Sequence, residues 1–341
     1  MDKLLIFLLI LTSALVSCKQ GRKAKDDLAE TGRTKRTEAL LHNLDSISQK
    51  GFLVGQQDAT LYGVGWEGDS ARSDIKSICS EFPAVVGFEI GGIENGSERN
   101  IFGTTFATIR NAILAQYDAG GVCLLSWHTE NVPSSDETDL MCDFLNTLEE
   151  PYGVRVPVIL RPCNASSSIE FWKRLRDRME EKEVTNALLA YTLACEQGSV
   201  ATAGKSQEGQ EEIMHTVDMI GIEMYDNAAT VTSDTMLTFS IRLDSALALL
   251  TKIGKEYGCP VAIYATGQES ITNISWFTQE LLPVLDRHTL SFIVFDRNDN
   301  KIPGHFFVPF PGHPAVSDFT SFVNSPKTLF LRETNGMYLK R

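Results

Sequence analysis

The sequence predicts a single (β/α)8 TIM barrel, and three observations carry that reading. From residue 37 onward, short β-rich apolar runs alternate with longer amphipathic stretches, the pattern of a parallel sheet joined by crossover helices. Eight such runs can be counted, and the length of the chain suits eight β/α units. The competing fold, an open doubly wound sheet, calls for a Gly-rich phosphate turn after the first strand, and GQQDATLYG (55–63) lacks that spacing.

The strands are expected at 51–58, 84–92, 121–128, 156–163, 186–194, 216–226, 260–267 and 290–298, each a run of β-branched and aliphatic residues bounded by Gly, Pro or polar residues. Between them, FATIRNAILAQYDA (106–119) and MLTFSIRLDSALALLTKIGKEYG (236–258) show helical periodicity. Cys123, Cys163, Cys195 and Cys259 fall on or beside strand runs, and Cys79 and Cys142 fall in helical stretches. No CxxC or metal-like His/Cys spacing occurs, so these cysteines read as small hydrophobes and the sequence calls for no metal and no cofactor.

The first residues read as an export signal. A basic start at Lys3 precedes the apolar run LLIFLLILTSALV (4–16), which would rise only about 20 Å as a helix, too short for a hydrocarbon core of roughly 30 Å. The ending Leu15-Val16-Ser17-Cys18 resembles a bacterial lipoprotein box, so residues 1–17 are expected to be removed and Cys18 lipidated. Residues 18–36 then read as the lipidated cysteine and a polar tether, and 37–341 as the barrel. The expected location is the cell envelope, at the outer membrane, facing the periplasm or the surface. The tether from 19 to 36 carries +4; with residues 1–18 neutral, the total of −13 leaves −17 on the body. A body so acidic repels nucleic acid and anionic lipid, and it favours neutral or cationic ligands.

In a barrel of this class the C-terminal ends of the strands build the site. Polar residues gather there: Gln56, Gln57 and Asp58 after the first strand, Glu89 and Glu94 after the second, Trp127, His128 and Glu130 after the third, Arg161 and Asn164 after the fourth. Glu223 and Tyr225 follow on the sixth, Gln268 and Glu269 on the seventh, and Asp296, Arg297 and Asn298 on the eighth.

Read in order, several of these strand ends resemble glycoside hydrolase family 26, best known for endo-β-1,4-mannanases. The matching pieces are GQQDATLYGVGW (55–66), FPAVVGFEIGGIE (82–94), SWH (126–128), VPVILRP (156–162), VDMIGIEMYD (217–226) and FFVPFPGHPAVSDFTSFVNSPKTLF (306–330). The resemblance implies a catalytic acid/base after the Arg-Pro of the fourth strand and a nucleophile at the end of the seventh. Those positions hold Ala165, preceded by Asn164, and Ala265. Two further departures are Gln56-Gln57 after Gly55 and Asp296 in place of a tryptophan. Retaining hydrolysis needs two carboxyls about 5–5.5 Å apart, which alanines cannot supply.

The expected function is therefore a catalytically inactive, mannanase-like exported lipoprotein that binds β-mannan-type polysaccharide or oligosaccharide. Trp127 is expected to stack on a sugar ring, with His128, Arg161, Asn164, Glu223, Tyr225, Asp296 and Asn298 as hydrogen-bond partners. Two alternatives stand beside it. One is an active β-glycosidase using relocated carboxylates, Glu223 foremost among Glu130, Glu170 and Glu269; the other is a protein-binding scaffold.

Overall fold

The computed structural model describes residues 27–151, 153–163, 168–196, 199–200, 207–226 and 238–339. The expected signal segment, Cys18, Asn164 and Ala165 lie outside the described residues. Eight parallel strands close into a barrel: β1 (Phe52–Gln57), β2 (Val85–Glu89), β3 (Val122–His128), β4 (Val158–Cys163), β5 (Ala187–Thr192), β6 (Met219–Tyr225), β7 (Val261–Gly267) and β8 (Phe292–Phe295). They pair in sequence order, and β8 returns to β1 with Leu53 opposite Phe292 and Gln56 opposite Phe295, so the sheet has no open edge there. All eight expected strands are present, each shorter than expected by one to five residues.

Side chains alternate across each strand, and the two faces differ in kind. The inward row in the lower barrel is apolar: Leu53, Val85, Val122, Leu124, Ile159, Leu188, Ala190, Met219, Ala262, Phe292 and Val294 form one buried cluster. The outward row packs against the helices, where Phe88, Leu125, Leu160, Ile222 and Ile263 join a larger core. Helix α1 (Lys35–Ile47) closes the bottom of the barrel, putting Leu40 and Leu44 into the inner cluster. Gly221 on β6 is required by packing, because a Cβ there would stand 2.5 Å from the Tyr264 ring that lies across the interior.

The boundary at residue 37 moves. Residues 27–36 are folded onto the barrel: Leu28 bridges Thr34, Arg33 pairs with Asp218 at 2.7 Å, and the Thr34 amide donates to the Thr185 carbonyl at 2.9 Å. Thr34 is buried and its hydroxyl caps α1 by accepting from the Thr37 amide. A polar segment thus packs through a cap and ion pairs, which a reading of apolar content does not see.

Candidate functional site

At the C-terminal end of the barrel the inward row turns polar and surrounds a cavity of about 190 Å³. Gln57, Glu89, Ser126, His128, Arg161, Glu223, Tyr225, Tyr264, Ala265, Asp296 and Arg297 line it, with Phe102 from the loop after β2. The strand period explains the set. Above the apolar layer the same inward face carries Ser126 on β3 and Arg161 on β4, two residues beyond Leu124 and Ile159, and Glu89 on β2 and Glu223 on β6, four residues beyond Val85 and Met219.

The carboxylates of the cavity are held by specific partners. Glu89, buried at the end of β2, accepts from the Gly91 amide at 2.6 Å and from His128 Nδ1 at 2.6 Å, which fixes that nitrogen as the protonated one. Burial opposes charge on His128, but hydrogen bonds to Cys163 and Glu89 outweigh it and raise the imidazole to about 10. Arg161, buried at the centre of the mouth, donates to Glu223 and, through Nη2, to Ser126 Oγ at 2.9 Å. Burial alone would raise the Glu223 carboxyl; the Arg161 guanidinium overrides it and holds the group below the usual carboxylate range. The Tyr225 hydroxyl donates to Asp296 at 2.9 Å, and burial together with that carboxylate pushes the phenol up. Arg297 lies over the Phe102 ring at 3.9 Å and reaches Asp299 and His305.

Strand β7 presents residue 265 by a device of its own. Its partners run Ile222 opposite Ile263 and then Glu223 opposite Ala265, while on the other side Ile263 faces Ile293 and Thr266 faces Phe295. One extra residue is therefore inserted at Tyr264–Ala265, a β-bulge, and both residues turn to the cavity where strict alternation would allow one. The group so presented is a methyl.

Six residues expected to bind ligand or to mark a catalytic position thus meet in one cavity, His128, Arg161, Glu223, Tyr225, Ala265 and Asp296, together with Gln57, Glu89 and Arg297 from the expected strand ends. Two do not. Trp127 is 1% exposed and belongs to the outward row; its ring packs on Phe171 and its Nε1 donates to Glu94 at 3.0 Å. It has no face for a ligand, because neighbours on one strand point to opposite sides of the sheet, and His128 takes the inward position. Asn298 is likewise 1% exposed, donating to Asp74 and the Val308 carbonyl and accepting from the Phe307 and Val308 amides. Its polar groups are spent on holding the 306–308 segment. Glu130 is exposed, Glu170 sits in the first turn of the helix Ile169–Glu181, and Glu269 is exposed and pairs with His305 at 2.7 Å. The sequence reading missed Phe102 and Tyr264. Tyr264 was legible as an inward β7 position, whereas Phe102 arrives on a loop with no periodic signal.

A GH26 β-mannanase from Bacteroides ovatus superimposes with a TM-score of 0.80 at 32% sequence identity, covering 91% of this chain and 98% of that one. The chain belongs to glycoside hydrolase family 26. A GH26 protein from Muricauda sp. (21% identity, 90% and 94% coverage, TM-score 0.73) and the catalytic domain of a Bacillus sp. GH26 endo-β-1,4-mannanase (20%, 93% and 98%, 0.76) share the fold of this GH26 chain. No protein-family profile and no curated protein sequence matches it.

Proposed function

We propose that this GH26 chain binds a β-mannan-type glycan without hydrolysing it, displayed on the cell envelope through a lipid on Cys18. The observation that carries the reading is the bulge at Tyr264–Ala265, which delivers a methyl group to the place where the family resemblance calls for a nucleophile. The remaining carboxylates support it. Glu223 is held ionised by Arg161, the wrong state for a general acid, and Glu89 is committed to His128. The ligand class follows from the Bacteroides ovatus relative, named a β-mannanase, and from a cavity lined with hydrogen-bonding groups and the Phe102 and Tyr225 rings.

The test is hydrolysis of β-mannan and of an activated aryl β-mannoside by the purified protein. No product above background is expected, and Ala165→Glu with Ala265→Glu restores weak activity at best, since neighbouring groups must also be in place. Cleavage by the wild type that Glu223→Gln abolishes would establish the relocated-carboxylate alternative instead.

A further inference from the structure

The rim of the cavity is held by a chain of contacts that begins outside it. Phe102, on the loop after β2, lines the mouth, and the Arg297 guanidinium stands 3.9 Å from the centre of its ring. Arg297 is itself gripped on both arms of its fork. Nη2 donates to Asp299 at 3.1 Å, and Nη1 donates to His305 Nε2 at 2.9 Å. The other ring nitrogen of His305, Nδ1, lies 2.7 Å from Glu269 Oε1. These partners fix the state of His305. A guanidinium can only donate, so the Nε2 facing it carries a lone pair; the exposed Glu269 carboxylate accepts, so Nδ1 carries the proton. The imidazole is therefore neutral in this arrangement. A second proton would set two donors and two positive charges 2.9 Å apart, and Arg297 would be left on Asp299 alone.

We propose that His305, oriented by Glu269, positions Arg297 and through it Phe102 over the glycan site, and that protonation of His305 releases this hold, so that glycan binds more tightly at neutral than at acidic pH. The inference deepens the glycan reading and rests on it for the ligand. His305 and Glu269 do not line the cavity; they are positioning residues that act through Arg297. The chain ties together the ends of three loops, with Phe102 after β2, Glu269 after β7, and Arg297 and His305 after β8. Phe102 comes from a loop, so its place over the mouth depends on a partner fixed elsewhere.

The groups that face His305 are Glu269 and Arg297, with Asp299 beyond the guanidinium and the Phe307 ring edge-on at 5.2 Å. Two further groups bear on pH dependence at the mouth. His128, raised to about 10, stays protonated through the acid range. Asp58, whose charge acts on Arg297, is pushed up to about 7 by burial and changes charge in the same window as an ordinary imidazole. Its effect has to be separated from that of His305.

The experiment places 4-fluorophenylalanine at position 102 of the intact protein and follows its fluorine resonance, without ligand, from about pH 8 to about pH 5, where an imidazole changes charge. Calorimetric titration of the unlabelled protein with a β-1,4-manno-oligosaccharide is then run at both ends of that range. The expected result is one titration step in the fluorine signal, lost in His305→Gln, whose amide oxygen accepts from Arg297 at every pH and carries no titrating proton. Affinity should fall about two- to fivefold on acidification of the wild type, the size of a cation–π contact at a partly open site, and stay level in His305→Gln. His305→Leu should show the acid-range signal and the weaker affinity throughout. A fluorine step that persists in His305→Gln belongs to Asp58 and overturns the proposal, as does a signal with no step. Glycan binding that is indifferent to His305 at every pH would sink the positioning role while leaving the glycan reading intact. A fluorine step that depends on His305, in a protein that binds no manno-oligosaccharide, would sink the glycan reading and keep the hold on Phe102.

Discussion

The lower and upper halves of the barrel interior are built from the same strands, yet they differ completely in chemistry. Leu124 and Ile159 belong to a dry cluster; two residues further along the same strands, Ser126 and Arg161 are hydrogen-bonded to each other at the cavity. A step of two residues along a strand keeps the face and raises the level, so stability and site are separated by about 7 Å of rise. A step of one residue keeps the level and changes the face. Trp127 and His128 illustrate it: one is sealed behind Phe171, the other stands in the mouth.

The largest expected effect tests that contrast of faces. Trp127→Ala should destabilise the fold by about 3–5 kcal/mol, the usual loss for a buried aromatic, while the folded protein keeps its ligand affinity. Phe102→Ala should do the reverse, weakening glycan binding by roughly 1–2 kcal/mol with little change in urea midpoint. An equal loss of binding in both variants would return Trp127 to the site. Asn298→Ala comes next: it strands the Phe307 and Val308 amides, and chemical denaturation should read a loss of about 1–3 kcal/mol.

These outcomes bear on what the sequence made legible. The eight strands were readable because each is a compact apolar run between turn residues, and the mouth was readable because polar residues cluster where apolar runs end. The faces were readable too, by counting in twos from Leu124, and that count excludes Trp127. Three features were not readable. The bulge at Tyr264–Ala265 inserts a residue with no change in composition. The seating of residues 27–36 depends on Asp218 and Thr185, more than a hundred residues away. Phe102 reaches the cavity only because its loop folds over the strand ends.

Smaller effects sharpen the comparison between the two ends of the barrel. Thr34→Ala removes the cap of α1 at the bottom and should cost roughly 1 kcal/mol, seen as a lowered melting temperature. No change would mean that residues 27–36 contribute nothing to the fold. At the mouth, His128 has a folded pKa of about 10, above its ordinary value near 6.5. Its raised pKa stabilises the fold fully below about pH 6.5, and that stability is lost as pH rises through about 10. The stability difference between wild type and His128→Gln should therefore shrink across that window, by a modest amount because the side chain is partly open to solvent. A difference that grows with pH would contradict the assignment of Glu89 as its partner.

The central claim is that the cavity holds a glycan and leaves it whole. Calorimetric titration with a β-1,4-manno-oligosaccharide, followed by mass analysis of the recovered sugar, tests both halves in one sample. The account predicts saturable binding that weakens in Phe102→Ala and an oligosaccharide recovered at its original length. Absence of binding, or recovery of shortened products from the wild type, would contradict it.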